Sequence, residues 1–276
     1  RAAAACGVRL RRRRHAALRV HQAGAGVPLA LAAGAVQSPH LLELSGIGNG
    51  EILKQHGIDV AHHLPGVGEN LRDHPNTRIT FECSQPLTIN DVLQSPLLKI
   101  KEGLRFIFKR EGLLTICSAT AQMNFRSSPE VQQPDLVLRL LPLSGKDRYA
   151  RTPGYGMDPF PGFTFGITVL QPRSRGTVHI KSRDPLKQAA MDPKYLSHEA
   201  DTQLFLEGVR LARKVAQMPA LKPLIVRETR PGPEVADDGG LIDYMRGTIQ
   251  TSWHMVGTTK MGVDDKAVVD PELKVH

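Results

Sequence analysis

The sequence predicts a mixed fold, α/β in its outer segments and α+β between them, and three observations carry that reading. An apolar run over 27–33 feeds the bulk-free turn Ala32-Ala33-Gly34-Ala35, as a strand feeds a helix. From 76 to 246, alternating strand-like runs such as Arg78-Ile79-Thr80-Phe81-Glu82 and Asp135-Leu136-Val137-Leu138-Arg139-Leu140 take over. Amphipathic segments at 97–111 and 201–218 interrupt those runs with helical spacing.

Taken in order, 1–26 is rich in Ala, Arg and Gly with little periodicity and reads as irregular. After the strand 27–33, Ser38-Pro39 reads as a helix start and Ser45-Gly46-Ile47-Gly48 as its stop. The small residues at 32–35 let another group lie against the backbone. That group is either a packed neighbour or a nucleotide phosphate, which a helix N-terminus favours. A helix over 51–57 stopped by Gly57, a short strand Ile58-Asp59-Val60 and an exposed loop holding His62-His63 follow. Leu97, Leu98, Ile100, Leu104, Ile107 and Phe108 are expected to face the core from a helix closed by Gly112. Leu204, Phe205, Val209, Leu211, Ala212 and Val215 are expected to do the same from 201–218. The run 160–170 reads as a strand with 176–181 as its hairpin partner. No repeat of 20–50 residues is visible.

A chain of 276 residues with 41% hydrophobic residues can bury a core as one large domain or two modest ones. Aromatic residues make up 5%, with a single tryptophan, which disfavours a surface built on stacking against sugars or single-stranded nucleic acid. The net charge is +9, and Arg11-Arg12-Arg13-Arg14 concentrates part of it. That run can meet phosphate or an anionic membrane, but it reads as a solvated segment, and no nucleic-acid partner is expected. Cys6, Cys83 and Cys117 are too far apart for a metal cluster and odd in number, so a reducing compartment is the simpler reading. The eleven histidines show no zinc-protease spacing, and no metal is expected. No apolar stretch reaches the roughly 18 residues that cross a bilayer. With no signal peptide to claim, a cytoplasmic location is expected. Oligomeric state is not legible.

Three segments in register carry a resemblance. They are Gly34-Ala35-Val36-Gln37-Ser38-Pro39-His40-Leu41-Leu42, then Gly66-Val67-Gly68-Glu69-Asn70-Leu71-Arg72-Asp73-His74-Pro75, then Trp253-His254-Met255-Val256-Gly257-Thr258. Supporting them are Gln171-Pro172-Arg173-Ser174-Arg175-Gly176, Asp192-Pro193-Lys194-Tyr195 and Val269-Asp270-Pro271. Together these resemble the glucose-methanol-choline (GMC) family of flavin-dependent alcohol oxidoreductases over about 27–276, and look closest to its choline-dehydrogenase-like branch. The resemblance implies a partial Rossmann-like FAD-binding domain over 27–75 and 248–276. It also implies a substrate-binding domain over 76–247 whose antiparallel sheet forms a floor under the substrate.

Oxidising an alcohol to a carbonyl removes a proton from oxygen and a hydride from carbon. Side chains cannot accept the hydride; the resemblance implies FAD as the acceptor and a small alcohol as the substrate. Histidine titrates near neutral pH, and His254 is the expected catalytic base, following the only tryptophan and preceding the turn Gly257-Thr258. Without the resemblance, a lone histidine is more often a satisfied core or surface residue. Ala33, Gly34, Ala35, Asn70, Asp73, Trp253, Gly257 and Thr258 are the expected cofactor contacts. For Asn70 and Asp73 the alternative is capping of their own loop, whose amides are read as exposed toward a cofactor. His74 precedes a proline and reads as structural. Gly46-x-Gly48-x-Gly50 follows a helix and lacks the dinucleotide spacing, so it is not a phosphate fingerprint.

The chain departs from the family in supplying no Gly-x-Gly-x-x-Gly turn with its acidic partner. It also stops at His276, before the residues that carry the family's second catalytic His or Asn. The expectation is therefore an incomplete enzyme that binds FAD weakly and does not turn over. A non-catalytic remnant or binding module of the same fold is the competing expectation.

Overall fold

The computed structural model describes residues 30–116, 119–146 and 156–276. Residues 1–29, with the arginine run, Cys6 and the start of the expected first strand, lie outside them, as do Cys117 and part of the loop over 144–161. Contacts divide the chain into two compact units. The first draws on Arg1–Asn70, Thr177–Asp192 and Gly257–His276, the second on Leu71–Gly176 and Pro193–Val256. Residues 71–75 and 248–256 thus fall with the central segment, and 177–192 with the outer ones.

In the first unit, residues 30–33 carry no strand, and helix α1, Gly34–Leu44, starts at Gly34 rather than at Ser38-Pro39. Pro39 therefore sits inside the helix, where its missing N–H leaves the Ala35 carbonyl without its usual donor. The Thr258 hydroxyl donates to that carbonyl at 2.5 Å, which is why the helix tolerates the proline. Helix α2, Gly50–Gln55, is capped by the Asn49 side chain accepting from the Glu51 amide at 3.0 Å and gives way to Gly57 at φ +67°.

The expected strand at 58–60 does not form. The amides of Ala61 and His62 both reach the Gly46 carbonyl, so pairing begins later, with β1, Ile47–Gly48, parallel to β2, His62–His63. The histidine pair is exposed, as expected, but in a strand rather than a loop. The run at 176–181 is not the partner of the strand before it. Its strand pairs antiparallel with a later one, Ala190–Asp192.

The second unit is a six-stranded antiparallel sheet. Its strands are β3 (Pro75–Cys83), β4 (Ala121–Phe125), β5 (Leu136–Leu141), β6 (Gly162–Val169), β9 (Ile225–Arg230) and β10 (Gln250–Thr251). In the first unit, Thr177–His179 and Ala190–Asp192 are β7 and β8. The sheet order is β10-β3-β6-β5-β4, with β9 and β10 sharing one edge of β3. Helices α3 (Ile89–Gln94), α4 (Pro96–Lys109), α5 (Glu199–Ala216) and α6 (Asp238–Thr248) complete the unit.

Helix α5 buries Phe205, Leu206, Val209, Ala212 and Ala216 against Ile79, Leu136, Ile167 and Val169, and α6 adds Leu241 and Met245. Each of the larger side chains among them stabilises the fold by about 1.5–3 kcal/mol, the two alanines by less. Gly208 lets the helix lie close, since a Cβ there would stand 2.5 Å from the Ile167 Cγ2 methyl. Arg213 ties α5 to β9 through two bonds to the Glu228 carboxylate, at 3.0 and 2.8 Å.

Helix α4 overturns its expectation. It has no buried residue, and Leu97, Ile100, Leu104, Ile107 and Phe108 are all exposed. Its half-buried side carries Leu98, Glu102 and Phe106, and Glu102 accepts from the Leu113 amide at 3.0 Å. Among the described residues, no helix is long and apolar enough to cross a membrane.

Candidate functional site

The residues singled out in the sequence gather into two groups, one in each unit. In the second unit the organiser is Asp73, only 5% exposed at the end of the loop that enters β3. Its Oδ2 accepts from the hydroxyls of Tyr195 and Thr251, each at 2.5 Å, and its Oδ1 accepts from the His254 amide at 2.9 Å. The Thr251 hydroxyl oxygen in turn accepts from the Trp253 amide at 2.8 Å. Trp253 stands at φ +57° with its ring exposed, a left-handed geometry these bonds help to hold. Asp73 therefore does not cap its own loop. Its side-chain partners Tyr195 and Thr251 are distant in sequence, which is why no local pattern announced their pairing with it.

The segment over 250–256 is laced to the start of β3. The buried Asn76 amide donates to the Gln250 and Thr251 carbonyls and to the Ser252 hydroxyl, at 3.3, 3.2 and 3.1 Å. Arg72 and Val256 exchange both backbone bonds at 2.9 and 2.8 Å. The result places His254 Nδ1 3.0 Å from His74 Nδ1, with the rings edge to face at 86°. His74, expected to be only structural, is thus the immediate partner of His254. Burial lowers its pKa below the ordinary histidine value, and nearby His254 pushes the same way. The Asp73 charge and a hydrogen bond to the Leu170 backbone oppose this without reversing it. Burial also raises the Tyr195 hydroxyl pKa, with the Asp73 bond adding to it, so that proton stays on oxygen.

These histidines open onto a cavity of about 380 Å³, lined also by Arg72, Arg173, Arg175 and Gln171. The wall over 172–175 is set by Asp201 in the first turn of α5, which is 1% exposed. It accepts from the amides of Arg173 and Ser174 at 2.7 and 2.8 Å and from the Ser174 hydroxyl at 2.6 Å. Arg175 donates to the Pro172 and Ser174 carbonyls at 2.7 and 2.9 Å. Burial, then the like charge of Arg72, lowers the Arg175 pKa. Three arginines and one acid, Asp73, line the cavity, so it favours negative charge.

In the first unit, Ala33, Gly34 and Ala35 form the N-terminus of α1. Gly34 sits at φ +79° with open space where a Cβ would be, and the first turn has neither a side-chain cap nor an acidic residue. The Ala33 amide donates to the Ser38 hydroxyl at 3.2 Å, and the helix amides that follow it suit an anion. Thr258 is buried and tied to Ala35 through its hydroxyl. Asn70, at φ +59°, donates through Nδ2 to the Gly257 carbonyl at 3.1 Å. Gly257 stands at φ +94°, and a Cβ there would lie 2.5 Å from the Asn70 carbonyl.

The neighbouring loop does not offer the exposed amides expected of it. The amides of Val67, Gly68 and Glu69 go to the carbonyls of Leu64, Thr258 and Gly66. Its glycines admit protein backbone instead, since a Cβ on Gly66 or Gly68 would lie 2.2 Å from the carbonyl of Lys266 or Val178.

The first unit also holds a cluster that the sequence reading missed. Fully buried Glu43 accepts from His179 Nδ1 at 2.7 Å and from the Ile180 amide at 2.7 Å, and His179 Nε2 meets Glu69 at 3.2 Å. Burial pulls the His179 pKa down, but the Glu43 bond and the charges of both glutamates outweigh it and leave it raised. A single acid inside the apolar run Leu41-Leu42-Glu43-Leu44 was the available signal. Among the described residues, no group of three His, Cys, Asp or Glu side chains is arranged to hold a metal ion.

Residues 1–76 and 172–276 match two family models, both described as GMC oxidoreductase. The chain is 36% identical over 258 residues to the oxygen-dependent choline dehydrogenase of Klebsiella pneumoniae (strain 342), covering 92% of this chain and 45% of that protein. It matches the same-named protein of Escherichia coli O45:K1 (strain S88 / ExPEC) at 36% identity, with 92% and 44% coverage. The chain thus spans less than half the length of these relatives. A solved variant of formate oxidase from Aspergillus oryzae RIB40 shares the fold at TM-score 0.77 and 24% identity, covering 88% of this chain and 46% of that one. An FAD-dependent oxidoreductase from Chaetomium thermophilum does so at TM-score 0.73 and 22% identity, with 89% and 48% coverage.

Proposed function

Since the chain belongs to the GMC oxidoreductase family, we propose that it supplies the proton-handling site for FAD-dependent oxidation of an alcohol CH–OH group to a carbonyl. The observation that carries this reading is the His254 ring, exposed at the cavity, fixed to Asp73 through its main chain and to His74 through Nδ1. FAD, when bound, accepts the hydride that leaves carbon.

The proton from the substrate hydroxyl goes to His254 Nε2. The carbonyl of Leu170 can only accept, so the His74 nitrogen facing it carries the proton and His74 Nδ1 is an acceptor. His254 Nδ1 then donates to it, which leaves the Nε2 lone pair free. Arg72, Arg173 and Arg175 stabilise the negative charge that develops on the substrate oxygen. Asp73 already accepts three hydrogen bonds and acts as a positioning group rather than as the base.

The α1 N-terminus at Ala33, Gly34 and Ala35 fits the cofactor's phosphates, because it has no side-chain cap on its first turn and open space beyond Gly34. Asn70, Asp73, Trp253, Gly257 and Thr258 complete the assigned contacts. Cofactor binding falls to 27–75 with 248–276, and substrate binding to 76–247.

The test is the visible spectrum of the purified protein after FAD is added, then after anaerobic addition of choline or of a small anionic hydroxy acid. Weakly shifted flavin bands are expected in this chain, and shifted bands that bleach with one of these alcohols in a protein of its relatives' full length. His254→Ala should keep the bands and slow bleaching by about 10²–10⁴-fold. Bleaching at the original rate in that variant would remove His254 from its role, and bands that never shift would remove the cofactor assignment. Shifted bands that no alcohol bleaches would favour a binding module of the same fold.

A further inference from the structure

Helix α4, Pro96–Lys109, is amphipathic with its apolar side turned outward. Leu97 and Phe108 are each 79% exposed, Ile100 and Ile107 60%, and Leu104 49%. Their three- and four-residue spacing makes one continuous stripe. The opposite side, with Leu98, Glu102 and Phe106, is half-buried, so the stripe is not awaiting burial by its own neighbours on that side. Leu114 and Ile116, in the segment that follows, are also exposed.

The helix is basic beside the stripe. With 3.6 residues per turn, Lys101 and Arg105 lie along one margin, Lys99 and Lys109 fall on the polar side, and Arg110 follows at the end. Glu102 is the only acid from 96 to 110; it accepts from the Leu113 amide and lies 3.9 Å from Arg105, which also meets Glu111 at 3.4 Å.

We propose that α4 is an interfacial membrane helix that lays its apolar stripe among the acyl chains of an anionic lipid surface, with the flanking lysines and arginines at the headgroups. An apolar face of leucine, isoleucine and phenylalanine with long cationic side chains along its margins is the chemistry of such helices. Lysine stems are apolar enough to lie along the boundary while the ammonium reaches the phosphates. Five Lys and Arg residues against one acid from 96 to 110 give the helix the charge that complements an anionic lipid surface. Nothing here requires a bilayer-crossing segment, and the inference stands apart from the oxidation proposed above.

The test is co-sedimentation of the purified full chain with phosphatidylcholine vesicles, with and without phosphatidylglycerol. Binding to the anionic vesicles about tenfold or more tighter, and weakened by salt, is expected. The double variant Leu104→Asp, Phe108→Asp should lose it while far-UV circular dichroism is unchanged, because both side chains are exposed. Phe108→Trp should add a tryptophan emission that shifts to the blue with the anionic vesicles. Binding that survives the double substitution would assign it to other basic residues and overturn the proposal. So would the absence of vesicle binding, or a concentration-dependent dimer in analytical ultracentrifugation that the same substitution dissolves.

Discussion

Two histidine clusters, one in each compact unit, show how the same side chain is turned to opposite uses. His179 lies between two glutamates. Both its ring nitrogens face glutamate oxygens, and although burial opposes it, the Glu43 bond and the two acidic neighbours raise its pKa and favour the charged ring. His74 lies half-buried against a second histidine, and burial with that neighbour lowers its pKa. The first arrangement consumes the histidine's proton chemistry in a fixed ion pair. The second keeps a ring neutral and leaves its partner, His254, a free nitrogen at a cavity. A perturbed histidine is therefore not in itself a sign of catalysis, and the direction of the shift and its cause sort one case from the other.

The largest expected consequence is in stability. His179→Ala leaves the fully buried Glu43 carboxylate with only the Ile180 amide, and should cost about 3 kcal/mol. His254 is exposed, and His254→Ala should change stability by no more than about 0.5 kcal/mol. Urea unfolding near pH 6 measures both. Equal losses would mean that the two clusters are alike in being structural, and would erase the contrast.

The next consequence is a pair of opposite pH dependences. The folded pKa of His179 is raised above the unfolded value of about 6.5, so its stabilisation is complete below that pH and is lost as pH rises through the folded value. The folded pKa of His74 is lowered. It costs nothing above about 6.5, and stability is lost as pH falls from there through the lowered value. Thermal midpoints across this range should show His179→Gln flattening the alkaline limb and His74→Asn the acid limb. The same limb responding to both variants would break the comparison.

Much of this was legible in the sequence, and the failures share a cause. Helix α5 and strands β3, β5 and β6 declared themselves through periodicity, and the motif around His254 led to the residue that lines the cavity. Periodicity gave α4 correctly as a helix but could not say which way its apolar stripe points, because pattern reports a stripe and not what lies opposite it. The start of α1 was misplaced because Pro39 is a strong local signal, while the hydroxyl that makes it tolerable comes from Thr258, far along the chain. Asp73, Tyr195 and Thr251, like Glu43 and His179, meet across more than a hundred residues, and no local window carries such pairings. The loop at 66–69 offered glycines that read as a cofactor cradle. Their space is taken by backbone, a distinction that only the fold can make.

The smallest effect is also the most direct probe of the pair at the cavity. His254 depresses the His74 pKa, and burial, to which a neighbouring ring contributes, depresses it further. In His254→Ala the repulsion disappears and water reaches the ring, while Asp73 and the Leu170 bond, which both favour the charged form, remain. An NMR titration of the His74 ring should therefore move upward toward the ordinary histidine value. The His179 resonance, held by Glu43 and Glu69 within the other unit, should stay where it is. A downward movement of His74 would mean that the Nδ1–Nδ1 hydrogen bond stabilises a shared proton more than the two rings repel. His254 would then hold a proton at Nδ1 in common with its neighbour, and the free Nε2 lone pair assigned to it would need a different tautomer to survive.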